Sequence, residues 1–221
     1  MNLPLAKIFD PTTGTLLSID KLAAIFGASG IGNDVIPVFY DEYDGQNAAM
    51  EVWALEYLGQ AKVRLISTFL PELHRQGFEK KYKPVLPKAT NFSPNPNYSV
   101  RSAIEDIQSR DKLLILDVRG TDEFSGASAS PNLSRPGHIP GALNVPWTEF
   151  LGDDDNFFGG KDKPDEFSGV NEAKGVITYC NSGPRAALAY LALKQKGYEK
   201  VSVYDRSFAE WSNRPELQVE R

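Results

Sequence analysis

Three short, continuously apolar runs stand out along the chain: Leu113-Leu114-Ile115-Leu116, Gly175-Val176-Ile177-Thr178-Tyr179 and Val201-Ser202-Val203-Tyr204. Unbroken runs of this length are the mark of strands buried on both faces of a parallel sheet. Between the last two lies Ala186 to Lys196, rich in Ala and Leu and closed by Gly197, which predicts a helix with a C-terminal glycine stop. Strand, helix and strand in that order predict a right-handed βαβ unit and an α/β fold class. The expected core is a five-stranded parallel sheet with helices on both faces. Ser102 and Glu105 have the spacing of a capping box and predict a short helix before the Leu113 strand. The stretch from Phe78 to Tyr98 differs in character: Pro84, Pro87, Pro94 and Pro96 among scattered Lys and Asn read as an extended linker. The predicted division is therefore a first domain over 1–79, a linker over 80–97 and a second domain over 98–221.

The two halves repeat one another. At an offset of 138 residues, Ala49, Ala54, Leu55, Gly59, Lys62, Val63 and Glu72 fall on Ala187, Ala192, Leu193, Gly197, Lys200, Val201 and Glu210. Such self-similarity predicts duplication of one α/β unit. Aligning Asp41 with Cys180 requires one extra residue in the first loop, so the first copy presents an acid where the second presents a thiol.

Composition narrows the chemistry. A net charge of -5 and 24% charged residues argue against a nucleic-acid partner held by bulk electrostatics. No apolar run approaches the roughly 20 residues that span a bilayer, so no membrane partner is expected. One cysteine excludes an intrachain disulfide and fits a reducing compartment, with the cytoplasm as the expected location. That cysteine, Cys180, ends a predicted strand, and Asn181, Ser182, Gly183 and Pro184 separate it from Arg185 at the start of a helix. Gly183 permits a positive φ, and Pro184 suits a first helical turn while removing one N–H. The loop is expected to curl its amides into an anion cradle at a helix N-terminus, making Cys180 a competent nucleophile with Arg185 as a charged clamp. A lone cysteine is more often a small buried hydrophobe; the coincidence of strand end, glycine, arginine and helix start favours chemistry here.

Other residues invite roles that structure explains better. Asp117 and Arg119 are expected to form a buried ion pair or to brace the cysteine loop. His138, between Gly137 and Ile139-Pro140-Gly141, reads as a structural turn residue. Asp153-Asp154-Asp155 reads as part of a solvated loop, so no metal is expected. Trp53, Trp147 and Trp211 are expected to pack the cores, the last two near the pocket mouth.

From Tyr98 to Trp211 the chain resembles a rhodanese domain. The resemblance rests on Leu116-Asp117-Val118-Arg119, on Gly137-His138-Ile139-Pro140-Gly141-Ala142 leading to Asn144-Val145-Pro146, on the cysteine loop, and on Tyr204-Asp205-Arg206-Ser207-Phe208-Ala209-Glu210-Trp211, in that order. From about Thr13 to Gly77 the chain is similar to the inactive domain of tandem rhodaneses, without counterparts of the Asp117-Val118-Arg119 and Gly137-His138-Ile139-Pro140 segments. A half-domain of that kind is expected to leave exposed apolar surface.

The resemblance implies that Cys180 takes sulfane sulfur from a small-molecule donor such as thiosulfate and passes it to cyanide or a thiol, including a protein thiol, without metal or cofactor. It implies substrate binding by residues 181–185 and by Arg206, which stands where the family usually has glycine. It also implies supporting roles for Asp117, Arg119 and His138. Ser182 stands at the position of a family lysine, and Glu123 at that of a substrate-binding arginine. Related phosphatases carry five residues between cysteine and arginine; the four here favour sulfur over phosphate. The reading from a different class is a non-catalytic interaction module of the same fold, though such modules usually lose the cysteine or the glycine of the loop.

Overall fold

The computed structural model describes residues 3–68, 70–79, 87–109, 113–128, 130–152 and 173–221, in two compact units that divide after Tyr98. The Asp153–Asp155 run lies outside the described residues.

The first unit has α1 (Ile19–Ala28), β1 (Val38–Phe39), α2 (Gln46–Tyr57), β2 (Arg64–Leu65) and α3 (Leu70–Arg75), with β1 and β2 paired in parallel. Helix α1 buries Leu22, Ala23 and Phe26, and α2 is buried on almost every side, Trp53 stacking on Tyr57 at 6.0 Å between ring centroids. Val35, Ile36, Val38, Tyr40 and Tyr43 are all exposed around β1.

Residues 87–97, read from composition as part of a linker, are instead laid along this unit. The amides of Thr90, Asn95 and Asn97 donate to the carbonyls of Gly27, Leu58 and Tyr57 at 2.8–2.9 Å, and Phe92 is buried. Prolines are spaced so that the donors between them remain usable, and polar composition gave no sign of that. Gly59 (φ +87°) lies so close to the Asn95 backbone that a side chain there would collide with it.

Helix α2 also buries a carboxyl group. Glu51 is 5% exposed, and burial, then the neighbouring Asp41, push its pKa up to about 8. A carboxyl whose pKa is raised on folding keeps its proton in the fold while the unfolded chain loses it. Stability therefore falls as pH rises from about 4.5 to about 8. Glu51→Gln is expected to raise stability by roughly 2–4 kcal/mol more at pH 8.5 than at pH 5. Urea unfolding at the two pH values reads that difference.

The second unit has α4 (Ile104–Gln108), β3 (Leu113–Asp117), α5 (Thr121–Ser125), β4 (Leu143–Asn144), β5 (Gly175–Tyr179), α6 (Pro184–Gln195), β6 (Val201–Val203) and α7 (Ser207–Ser212). Its sheet is parallel, in the order β4-β3-β5-β6. Four strands are formed among the described residues, where five were expected. The fifth position is a single parallel bridge from Arg101 to Val203, and the Arg101 side chain is tied to Asp205 at 2.8 Å.

One sheet face, with Ile115, Ile177 and Tyr179, packs on Ile107 of α4 and on Phe208 and Trp211 of α7. The other meets α6, where the Thr178 hydroxyl donates to the Ala186 carbonyl at 3.0 Å. Helix α4 is not capped by Ser102 and Glu105 as predicted: Ala103 is the N-cap residue, its amide held by Asp106 at 2.8 Å, and the Ser102 hydroxyl pairs with Ser202. The order β4-β3-β5-β6 sends connections to both sides of β3, and the carboxyl ends of such strands are where α/β sheets place their sites.

Candidate active site

Strand β5 delivers Cys180 to that end of the sheet. All five β5 residues are buried, which fixes the strand and leaves Cys180 at 1% exposure. Gly183 is the N-cap residue of α6 at φ 109°, ψ -47°, a conformation that side chains rarely adopt, and Pro184 opens the helix as expected. This turn aims the Gly183 amide at Cys180 Sγ, 3.1 Å away. An amide donor beside sulfur at a helix N-terminus favours negative charge there. Asn181 reaches Asn132 at 3.4 Å, and Ser182 is the exposed tip of the loop.

The loop is also held from α7, which sequence reasoning missed. The amides of Phe208 and Ala209 donate to the carbonyls of Cys180 and Asn181, each at 3.0 Å. The Ser207 hydroxyl accepts from the Cys180 amide at 3.1 Å, donates to the Tyr204 carbonyl at 2.8 Å, and lies 3.9 Å from Sγ. Ser207 does this at φ 56°, the one non-glycine positive φ among the described residues. Strain of this kind collects where function fixes the backbone. Only the position of Ser207 between two buried stretches could have signalled it.

Arg185 sits at the first turn of α6, and its guanidinium is taken up by Glu123 of α5, with Nη1 to Oε2 at 2.6 Å and Nη2 to Oε1 at 3.1 Å. Burial works against the Arg185 charge, but Glu123 and the nearby Cys180 together raise its pKa above the ordinary value. Burial likewise pushes Glu123 up, and Arg185 with the Gly120 amide more than offsets it, so its pKa is lowered.

Asp117 and Arg119 form the expected buried pair. Both side chains are fully buried, with Arg119 Nη2 at 2.5 Å from Asp117 Oδ2 and Nε at 3.0 Å from Oδ1. Arg119 also donates to the Gly137 carbonyl at 2.8 Å and lies 4.1 Å from the Phe208 ring centroid. The Tyr179 hydroxyl accepts from the Ile139 amide at 3.1 Å; burial, then the Asp117 charge, push that phenol well above its ordinary pKa.

Two predicted residues are engaged elsewhere. Arg206, expected to add a second substrate cation, is half exposed and paired along α7 with Glu210 at 2.9 Å. His138 stacks on Phe124, its Nδ1 2.9 Å from the Phe124 carbonyl, and its backbone bridges to Glu220. These contacts tie the turn from Gly137 to Gly141 to α5 and to the chain near Glu220. Trp211 belongs to the core, with Nε1 donating to the Gln218 carbonyl at 2.8 Å. Among the described residues, a cleft of about 890 Å³ in the first unit, against Asp41, Glu51 and His74, is lined by no cysteine, Arg or Lys.

The fold and this loop define an α/β protein with a buried cysteine at the carboxyl end of a parallel sheet, its sulfur facing the Gly183 amide. The model of the rhodanese-like domain matches residues 100–214, and the chain belongs to the rhodanese family of sulfurtransferases. A thiosulfate sulfurtransferase of Corynebacterium glutamicum is 28% identical over 96% of this chain and 74% of its own length. A Haloferax volcanii relative provisionally given the same name is 30% identical over 98% of this chain and 79% of its own. The sulfur carrier protein TtuD of Thermus thermophilus is 27% identical over 93% and 78%.

Among solved structures, the anaerobic ergothioneine biosynthesis enzyme of Chlorobium limicola superposes with a TM-score of 0.87 at 19% identity, over 99% of this chain. This chain spans 58% of that one. At that identity the likeness concerns the fold. Among the described residues no helix is long and apolar enough to cross a membrane.

Breaking the buried pair from one side leaves a charge without compensation. Asp117→Asn is expected to lower the unfolding free energy by about 3 kcal/mol. The midpoint shift in guanidinium chloride, with the slope unchanged, measures it.

Proposed function

We propose that the second unit is a sulfurtransferase that moves sulfane sulfur from thiosulfate or a similar donor to cyanide or a thiol, through a persulfide on Cys180. The observation that carries this reading is the Gly183 amide 3.1 Å from Cys180 Sγ, inside a loop fixed by Ser207, Phe208 and Ala209. Covalent catalysis of this kind divides one transfer into two. In the first, the Cys180 thiolate attacks the outer sulfur of the donor, and the donor's S–S bond breaks with its electron pair on the leaving group. In the second, the acceptor attacks the terminal sulfur, and the Cys180 thiolate is released. The Gly183 amide is placed to stabilise negative charge on Sγ at both stages. A persulfide of EanB has been captured in a solved structure with a TM-score of 0.86 to this chain, which supports the reading by fold. A protein thiol is an acceptor of the same chemistry, and the kinship with a sulfur carrier supports it.

We also propose that the first unit is a partial, inactive copy in a protein of the cytoplasm. The offset of 138 carries α2 (Gln46–Tyr57) onto α6 (Pro184–Gln195) end to end. At the position of the cysteine, the buried Asp41 carboxylate accepts from the amides of Tyr43 and Ala48 at 3.0 and 3.1 Å. A carboxylate held in this way has no sulfur to transfer.

Intact-mass analysis after incubation with thiosulfate is expected to show a gain of one sulfur atom that cyanide removes. Cys180→Ser is expected to abolish the gain. Retention of the cyanide-labile sulfur in that variant would sink the proposal.

A further inference from the structure

Every arginine assigned to the site from sequence has its own carboxylate. Arg119 pairs with Asp117, Arg185 with Glu123 and Arg206 with Glu210. The Arg185–Glu123 pair matters most, because Arg185 is the charged residue that ends the Cys180 loop, in the first turn of α6. Glu123 takes two of its nitrogens in a forked contact, and the Glu123 carboxylate is itself steadied by the Gly120 amide at 3.3 Å. Both side chains remain about one-fifth exposed, so the pair is not sealed in the core.

Charge bookkeeping separates two classes of donor. With thiosulfate, a Cys180 thiolate and a dianion bring three negative charges together; the Sγ–S bond forms, the donor S–S bond breaks, and sulfite leaves with two of them. With an organic hydropersulfide reacting as neutral R–S–SH, one negative charge is present throughout: the Sγ–S bond forms, the RS–SH bond breaks with its electron pair on the departing sulfur, and R–S⁻ leaves. A free guanidinium would favour the first class. A guanidinium already matched by a carboxylate gives that class little advantage.

We propose that Glu123 is a positioning residue that sets donor specificity, by neutralising Arg185 and so biasing the site toward sulfane donors of low charge over the thiosulfate dianion. This rests on the sulfur-transfer reading of Cys180.

The test compares rates of persulfide formation on Cys180 by quenched intact-mass analysis. The donors are thiosulfate and the hydropersulfide of N-acetylcysteamine, with the full chain, Glu123→Gln, Glu123→Ala and the double variant Glu123→Gln/Arg185→Gln. Removing the carboxylate is expected to raise the ratio of thiosulfate to hydropersulfide loading about tenfold, with a steeper fall in thiosulfate loading as salt is added. The double variant is expected to lose that gain, since the effect runs through Arg185. An unchanged or lower ratio in both single variants overturns the role of Glu123, as does a gain that survives in the double variant. Failure of the unsubstituted chain to load from either donor overturns instead the reading of the site on which the proposal stands.

Discussion

The second unit is organised around one buried ion pair. Asp117 ends β3 and Arg119 follows two residues later, and two opposite charges at full burial are tolerable only when they are paired and hydrogen-bonded, here through Arg119 Nε and Nη2, while Nη1 finds no partner among the described residues. That requirement gathers the neighbours. The Asp117 charge acts on the Tyr179 phenol of β5, and its backbone carbonyl takes the side chain of Asn144 at the end of β4 and the amide of Val145 just after it. Arg119 reaches the Gly137 carbonyl and lies over Phe208, whose amide holds the Cys180 carbonyl. The pair touches no sulfur, yet the strand that delivers Cys180 and the helix that holds its loop both rest against it.

The site thus has two tiers. The lower tier is rigid, buried and paired. The upper tier, the turn from Cys180 to Arg185, is shaped by glycine conformation and by amides from α7. Separating the tiers lets the loop's charge balance vary with Glu123 while the support beneath it stays fixed.

Sequence reading reached the parts of this that are local. Continuous apolar runs gave the strands β3, β5 and β6, because burial on both faces leaves no room for alternation. Gly183, Pro184 and the Ala-rich run gave the loop and α6 for the same local reason. Contacts between distant residues were beyond it. Glu123 and Arg185 are 62 positions apart, and the Arg206 charge looked available until Glu210 was seen to take it. The proline-rich stretch misled because composition reports where a helix is unwelcome, not whether the amides between prolines find partners. The capping box failed by one residue because Ser202 competed for the Ser102 hydroxyl.

Asp41 carries a consequence for how the two units respond to their surroundings. Its carboxylate is covalently part of the chain and already satisfies the amides of Tyr43 and Ala48. The first unit therefore carries its own internal acceptor, and no sulfur species is needed to satisfy those amides. On the sulfur-transfer reading proposed above, the second unit keeps its counterpart on Cys180, where the group beside the Gly183 amide changes with each turnover. By linkage, a group that interacts only with the folded state adds to its stability. On that reading the two halves differ in kind: the first unit's stability answers to pH through Glu51 but not to sulfur, and the second unit's rises and falls with its sulfur load.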